Sequence, residues 1–425
     1  MTRNQFWPAV SKLLTAATLV LVVTLVLAGT ASASRYNILY QFRMPKNGAN
    51  PYSGLTLDSA GNLYGMTYFG GAHGVGTVVK LKRNLDGSWT ESVLHSFTGA
   101  DGAYPFGEVI FDAAGNLYGT TSEGGASKEC PNAHGCGVVF KLKPNPNGTW
   151  TESVLHNFTG GADGAYPAAG VILDASGNLY GTTLQGGDLS CSALASQGCG
   201  VVFKLTPITA CAWKESVLYS FKAAEDGGFP AGLTFDAVGN LYGTGSAGGS
   251  SGQGVVYKLT PNAGGTWTES VLYSFIWYGA DPAGLTFDAA GNLYGATIYG
   301  GAHDDGAVFQ LALNSDGTWT ENTLHSFTGG ADGANPPGWL VLILDAAGNL
   351  YGTTQGGGAS GKGVVFKLTP GLDGTWTESV LHSFSGYGQA PQAGVIMDAA
   401  GNLYGTVSLG SVNNGFVYEI LKKCP

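Results

Sequence analysis

Few side chains in this sequence could carry out acid–base or metal chemistry. One histidine in a glycine-rich stretch, His303, is followed directly by Asp304 and Asp305. An imidazole beside two carboxylates could bind a divalent cation such as calcium or act as a general base. An exposed polar loop would contain the same residues, so both interpretations stay open. The sequence has no His-Glu-x-x-His and no phosphate-binding loop, and we assign no catalytic residue from it.

A second set of residues is suited to binding. These residues flank Gly-Gly pairs, vary along the chain, and mix aromatic rings with amides and one acid; they are Tyr68, Phe69, Glu123, Gln185 and Tyr299. Trp277 and Tyr278 stand where related segments have Thr-Gly. A sugar-binding surface uses such ring faces and polar tips. A hydrophobic plug over a shortened loop would explain Trp277 and Tyr278 equally well.

The elements that must position these residues are seven copies of one unit. The segment Gly-Asn-Leu-Tyr begins at Gly61, Gly115, Gly177, Gly239, Gly291, Gly348 and Gly401. Each copy contains four runs rich in strand-forming residues, separated by turn residues, which predicts a four-stranded antiparallel sheet. The repeat therefore predicts an all-β fold: a seven-bladed β-propeller that occupies residues 34–425 as one domain.

The two ends of the chain predict how the ring closes. The seventh unit stops at Pro425 without the strand that begins with Trp in the other units. The segment from Tyr36 to Phe42 aligns with that strand, for example with Glu269 to Phe275. We expect the N-terminal strand to complete the last blade, because closure removes the exposed sheet edges of an open array.

Residues that recur in every unit are expected to have structural roles within the repeat. An Asp four residues before each motif Asn can accept N–H bonds in a turn; these residues are Asp58, Asp112, Asp174, Asp236, Asp288, Asp345 and Asp398. One position of the fourth strand has His95, His156, His325 or His382 in four units and Tyr219 or Tyr273 in two others. We expect packing roles at positions where His and Tyr are exchanged.

Composition limits the class of protein. Of 425 residues, 70 are Gly and only 11% are charged, whereas 44% are hydrophobic. This glycine content excludes a long helical protein, and the apolar content with little charge excludes a disordered chain. The net charge of −10 provides no basic surface for phosphates, so we do not expect a nucleic-acid partner. We expect a monomer.

The N-terminus has the three parts of a secretory signal peptide. Arg3 and Lys12 precede an apolar run from Leu13 to Leu27, and a small-residue site ends at Ala33. We expect residues 1–33 to be removed, which leaves no membrane span and a protein that is secreted, periplasmic or at the cell surface. An uncleaved anchor is the alternative, but the run is shorter than the roughly 20 residues that span a bilayer.

The six cysteines fit an oxidising compartment. Two close pairs lie in long insertions and predict disulfides, Cys130 with Cys136 and Cys191 with Cys199. Cys211 and Cys424 are left unassigned.

The blocks Gly-Asn-Leu-Tyr-Gly-Thr-Thr and Gly-Val-Val-Phe-Lys-Leu resemble those of the GloVer tandem-repeat family of bacterial secreted proteins, over essentially all of residues 35–425. The resemblance implies no established activity. We expect a binding module for polysaccharide or another surface component. One alternative is a propeller hydrolase or lyase with a divalent cation at the channel mouth, which would use His73, His303, Asp304 or Glu123. The other is a structural cell-surface repeat protein.

Overall fold

A computed structural model describes residues 35–130, 134–191, 197–209, 212–276, 280–386, 389–409 and 414–422. The predicted signal peptide, Trp277, Tyr278, Cys211 and Cys424 lie outside the described residues. Within the described ranges, all named secondary-structure elements are β-strands. Within these ranges, no helix is long and apolar enough to cross a membrane.

The strands follow the seven repeats. Strand β1 (Tyr36–Gln41) precedes the first repeat. Blade 1 contains β2 (Thr56–Leu57), β3 (Leu63–Thr67), β4 (Thr77–Arg83) and β5 (Trp89–Ser96). Blade 2 contains β6 (Ala103–Pro105), β7 (Ile110–Phe111), β8 (Leu117–Glu123), β9 (Val138–Pro144) and β10 (Trp150–Asn157). Blade 3 contains β11 (Ile172–Leu173), β12 (Leu179–Thr183), β13 (Val201–Pro207) and β14 (Trp213–Ser220).

The remaining blades repeat this order. Blade 4 contains β15 (Gly228–Phe235), β16 (Leu241–Ala247), β17 (Val255–Pro261) and β18 (Trp267–Ser274). Blade 5 contains β19 (Thr286–Phe287), β20 (Leu293–Thr297), β21 (Ala307–Leu313) and β22 (Trp319–Ser326). Blade 6 contains β23 (Ile343–Leu344), β24 (Leu350–Thr353), β25 (Val364–Pro370) and β26 (Trp376–Ser383). Blade 7 contains β27 (Gln389–Ala390), β28 (Ile396–Met397), β29 (Leu403–Leu409) and β30 (Phe416–Ile420).

Each blade is an antiparallel sheet, and in blades 1 and 3 to 6 the strands pair in chain order. In blades 2 and 7 two short inner strands, β6 with β7 and β27 with β28, both pair with the following strand. The innermost strand lies beside the central channel, and the outermost strand of blades 1 to 6 begins with the recurrent Trp. Most inner strands have only two residues, such as β2, whereas β15 in blade 4 has eight. The predicted fold class, a seven-bladed β-propeller with four antiparallel strands per blade, is confirmed.

The recurrent Asp organises the first hairpin of each blade. In blade 2, Asp112 Oδ1 accepts the N–H groups of Ala114 and Asn116, both at 2.9 Å. Its Oδ2 accepts hydrogen bonds from Asn116 Nδ2 at 2.7 Å and from the Tyr118 hydroxyl at 3.0 Å. Although partial burial opposes the shift, these hydrogen bonds hold the pKa of Asp112 below its ordinary value. The carboxylate thus fixes both the turn and the Tyr ring.

That Tyr ring is the contact surface for the next blade. Tyr118 packs edge-on against Trp213, the first residue of β14, with 6.2 Å between ring centroids. Thr120 Oγ1 also crosses the boundary and donates to the carbonyl of Ala169 at 2.8 Å. The same Tyr–Trp contact recurs at Tyr64–Trp150, Tyr180–Trp267, Tyr242–Trp319, Tyr294–Trp376 and Tyr404–Trp89. Repeated contacts between neighbours therefore hold the ring together.

The exchange of His and Tyr on the outer strand has a simple geometric reason. His95 Nε2 lies 3.0 Å from Asp101 Oδ2, in the loop that leads to the next blade. Tyr219 places its hydroxyl 3.0 Å from Asp226 Oδ2 in the equivalent loop. Either side chain can therefore hold the loop Asp, and these residues are part of the scaffold.

The N-terminal strand closes the ring as the sequence predicts. β1 pairs antiparallel with β30, with Tyr36 opposite Ile420 and Gln41 opposite Phe416. The Tyr36 ring stacks on His382 of blade 6 with 3.8 Å between centroids and an interplanar angle of 7°. This one strand thus supplies the fourth strand of blade 7 and its contact with blade 6.

Deletion of residues 35–43 should open the ring. The loss of β1 exposes the edge of β30 and removes the stacking on His382, so we expect the melting temperature to fall on the order of 10 °C. Replacement of the exposed Ile38 by Ala is the control and should change the melting temperature little. A deleted protein that melts like the parent would contradict closure by this strand.

Candidate functional site

The loops between the second and third strands place variable side chains on one face of the ring. In blade 1, Phe69 exchanges two main-chain hydrogen bonds with Ala49, at 2.8 and 3.0 Å. Gly70 follows with φ of +83°, and a Cβ there would lie 2.6 Å from the Cα of Gly48. Glycine is required because the two loops touch through their main chains. The contact fixes the position of the Phe69 side chain.

Six aromatic side chains from blades 1, 2 and 6 form one contiguous group on this face, which we call the aromatic cluster. The aromatic cluster consists of Tyr52, Tyr68, Phe69, Tyr104, Phe106 and Trp339. Tyr68 is its centre: its ring centroid lies 4.7 Å from that of Phe69, 5.0 Å from that of Tyr104 and 5.3 Å from that of Tyr52. All six rings are partly exposed to solvent.

Trp339 extends the aromatic cluster across the mouth of the channel. It belongs to blade 6, yet its ring contacts Phe106 of blade 2 at 5.4 Å with an interplanar angle of 70°. Phe106 in turn stacks on Tyr52 at 5.4 Å and 7°. The next residue, Leu340, is fully buried and anchors the segment. The cluster therefore ends at the opening of the channel.

A cavity of about 130 Å³ lies in the channel, bounded by the inner segments of all seven blades. Glu108 contributes its carboxyl group to this cavity, and Tyr52 is the other titratable residue in the described lining. Burial raises the pKa of Glu108 to about 7. The described part of the chain supplies no cation to oppose this shift.

The repeat shows how unusual Glu108 is. It lies four residues before the hairpin Asp, a position occupied by Gly in five blades: Gly54, Gly170, Gly232, Gly284 and Gly394. Val341 is the remaining exception. Glu108 Oε1 occupies the place where a Cβ at Gly54 would lie, so the carboxyl group fits only because blade 1 has Gly there.

The geometry can now be compared with known proteins. The sequence model of the Gloeobacter/Verrucomicrobia repeat matches residues 25–195, 130–341 and 270–423. The chain belongs to this repeat family. A search of the curated proteins returns no match.

Solved structures resemble this member of the repeat family in fold alone. The extracellular domain of a candidate one-component system from B. thetaiotaomicron is 12% identical with a TM-score of 0.54, and the match covers 91% of this chain and 42% of that one. An ancestral GH74 enzyme is 10% identical with a TM-score of 0.52, over 89% and 49%. The chain thus spans less than half the length of these two proteins. A gluconolactonase from Xanthomonas campestris is 15% identical with a TM-score of 0.40, over 75% and 85%.

The structure brings three of the predicted binding residues together and separates two others. Glu123 pairs with Ala103, the residue before Tyr104 of the cluster, and burial and then the negative charge of Glu123 raise the pKa of Tyr68. Tyr299 occupies in blade 5 the repeat position that Phe69 has in blade 1, but it lines a separate small pocket. Gln185 is held by main-chain hydrogen bonds to Ala165 in blade 3.

The candidate metal ligands do not converge. His303 is exposed, and Asp304 Oδ1 accepts the N–H of Gly300 at 2.9 Å, which closes its own loop. Asp305 contacts a different segment, since its carbonyl accepts the N–H of Asn335 at 2.7 Å. Across the described ranges, no group of three or more His, Cys, Asp or Glu side chains could hold a metal ion.

Two disulfides stabilise enlarged loops on neighbouring blades. Cys130 is bonded to Cys136 in blade 2, and Cys191 to Cys199 in blade 3, with Cα atoms 5.4 and 5.8 Å apart. All four side chains are buried in the clusters between blades. Covalently closed loops of this kind fit an extracellular protein.

Glu108 should make stability depend on pH in a recognisable direction. Its pKa is about 7 in the folded chain against an ordinary value of 4.5, so its contribution is fully present below about pH 4.5 and is lost as the pH rises through 7. We expect Glu108→Gln to match the parent near pH 5. Near pH 8 it should be more stable by about 2 kcal/mol, after allowance for water in the channel.

Denaturant titrations at both pH values measure this difference. Glu129→Gln makes the same change of charge on an exposed loop and should follow the parent at both. If Glu108→Gln also follows the parent at both, the carboxyl group is hydrated in the folded protein, and burial does not raise its pKa.

Proposed function

We propose that this protein is a secreted binding module that holds a polysaccharide, or another polymer of the cell surface, against the aromatic cluster. The supporting observation is that six partly exposed rings from three blades are contiguous at the channel mouth. Flat ring faces at such a site pack on the apolar faces of sugars.

The scaffold does not require these rings. The residue aligned with Tyr52 and Phe106 is Ala168 in blade 3, and the loop position of Phe69 is Gln185 in the same blade. The recurrent Tyr118 and Trp213, in contrast, are used at a blade boundary. Residues that only some blades carry, on one face, are available for a ligand.

Polar groups beside the rings suit hydroxyl-bearing ligands. Glu123 pairs with Ala103, the residue before Tyr104, and Ser122 Oγ donates to the carbonyl of Tyr104 at 2.7 Å. A carboxylate and phenol hydroxyls next to aromatic faces give a surface that is apolar in its middle and hydrogen-bonding at its rim.

Two further observations support an extracellular binding role. The two disulfides fit an oxidising compartment. The described residues contain no group of three or more side chains that could hold a metal ion, and binding needs only the rings and their polar rim.

Substitutions in the aromatic cluster should reduce polymer binding. A glycan array probed with the purified protein identifies a ligand, and isothermal titration calorimetry then compares variants. We expect Phe69→Ala and Trp339→Ala to weaken binding at least about tenfold, because anchor rings in an interface typically contribute about 2 kcal/mol.

Tyr299→Ala is the matched control. Tyr299 is 46% exposed against 37% for Phe69 and has the same place in its blade, but it lies outside the cluster. Its replacement should leave affinity unchanged. If the cluster variants lose thermal stability yet bind as the parent does, the rings are a hydrophobic plug, and the proposed function fails.

A further inference from the structure

We propose that the central channel is a second site, which binds a small organic ammonium group through the Glu108 carboxylate and the rings of Tyr52, Phe106 and Trp339. Tyr52, Phe106 and Trp339 belong to the aromatic cluster as well, but Glu108, which selects the cation, does not, so this site does not depend on polymer binding. Its ligand class follows from the charge, the walls and the size of the cavity.

The charge in the cavity is the single carboxylate of Glu108, which no cationic side chain of the described residues balances. None of the described residues donates a hydrogen bond to Glu108 or forms an ion pair with it, and no described Lys, Arg or His lines the cavity. Enclosing an unpaired carboxylate is unfavourable. A positively charged ligand would remove that penalty.

The walls are suited to an organic cation. The lining beside Glu108 is aromatic at Tyr52, Phe106 and Trp339 and otherwise consists of Gly, Ala and aliphatic residues. Aromatic faces attract alkylammonium groups through the negative potential of the ring and pack against their methyl groups. Phe106 lies two residues before Glu108 on the same segment, so ring and carboxylate reach the cavity from one blade.

The size agrees with a ligand of a few heavy atoms. The cavity measures about 130 Å³, and a protein cavity of ~150 Å³ accepts one benzene molecule. A trimethylammonium or short alkylammonium group has a volume of this order.

Other ligand classes fit the cavity less well. Calcium takes six to eight oxygen ligands, but the side chains that line the described cavity provide only the Glu108 carboxylate and the Tyr52 hydroxyl. A neutral apolar molecule would leave the carboxylate unpaired. The net charge of −10 also favours the approach of cations over anions.

Ammonium binding should be coupled to ionisation of Glu108. The cation pairs with the carboxylate, while burial favours the protonated form. Binding therefore strengthens as the pH rises from 5.5 to 8 and releases a proton at the lower end of this range. Tyr52 is the other titratable group in the described lining.

Calorimetric titration with choline tests the site, with its uncharged isostere, in which carbon replaces the nitrogen, as the paired probe. We expect choline to bind the parent at pH 8 at least tenfold more tightly than the isostere. Glu108→Gln should lose at least tenfold in choline affinity. Glu152→Gln is the matched control: it lies in the same blade, and burial raises the pKa of Glu152 to about 7 as well. Glu152 does not line the cavity, so its variant should bind choline as the parent does.

Each other outcome overturns the proposal. Equal binding of choline and its isostere would show an apolar cavity without ionic recognition, and no binding at about 10 mM choline would show no site. A loss shared by Glu108→Gln and Glu152→Gln would indicate a general charge effect. Phe69→Ala lies outside the cavity lining and should keep choline binding, whereas Glu108→Gln should keep polymer binding. The two proposals can therefore fail separately.

Discussion

The hydrogen bonds of the hairpin Asp set the geometry on which the rest of the ring depends. In blade 2, one carboxylate of Asp112 holds the turn, the Asn116 amide and the Tyr118 hydroxyl. Because Trp213 of blade 3 packs on the Tyr118 ring, the same carboxylate also positions the neighbouring blade. Charge-assisted bonds in a partly desolvated site are stronger than their solvent-exposed counterparts. A chain rich in glycine can thus close a large ring through seven copies of one local arrangement.

Once repeats build the scaffold, residues that depart from the repeat are the ones free to recognise a ligand. The channel position shows why departures are rare. A Cβ at Gly170 would lie 2.7 Å from the main-chain oxygen of Glu108, so the backbones of neighbouring blades already touch there. Glu108 is accommodated because blade 1 has Gly54 at the same position, and Val341 because blade 5 has Gly284. Each larger side chain uses the space left by the glycine of the preceding blade.

The sequence predicted the scaffold well because each repeated residue has a local reason that can be recognised from its neighbours. Closure by β1 was also predictable, since Tyr36 to Phe42 aligns with a strand that blade 7 lacks. The site was predictable only in part. Phe69 and Tyr299 have the same place in their repeats, and only the folded structure shows that Phe69 contacts Tyr68 and Tyr104 of the aromatic cluster whereas Tyr299 lines a separate pocket. Glu108 was not predicted because it lies on an inner segment and not in the loops that carry the other variable residues, although it is an acid at a repeat position where five blades have Gly.

The aromatic cluster and Glu108 are unfavourable features for a protein that needed only a stable ring. Partly exposed rings promote non-specific association. Ionisation of a desolvated carboxyl group lowers the stability of the folded chain. The fold does not demand either feature, because blade 4 carries Gly232 where blade 2 carries Glu108. The rings of the aromatic cluster and Glu108 come from blades 1, 2 and 6 and meet at one end of the channel, where Trp339 reaches Phe106. Independent packing demands of three blades would not direct rings and charge to the same opening, whereas recognition of ligands at that opening would.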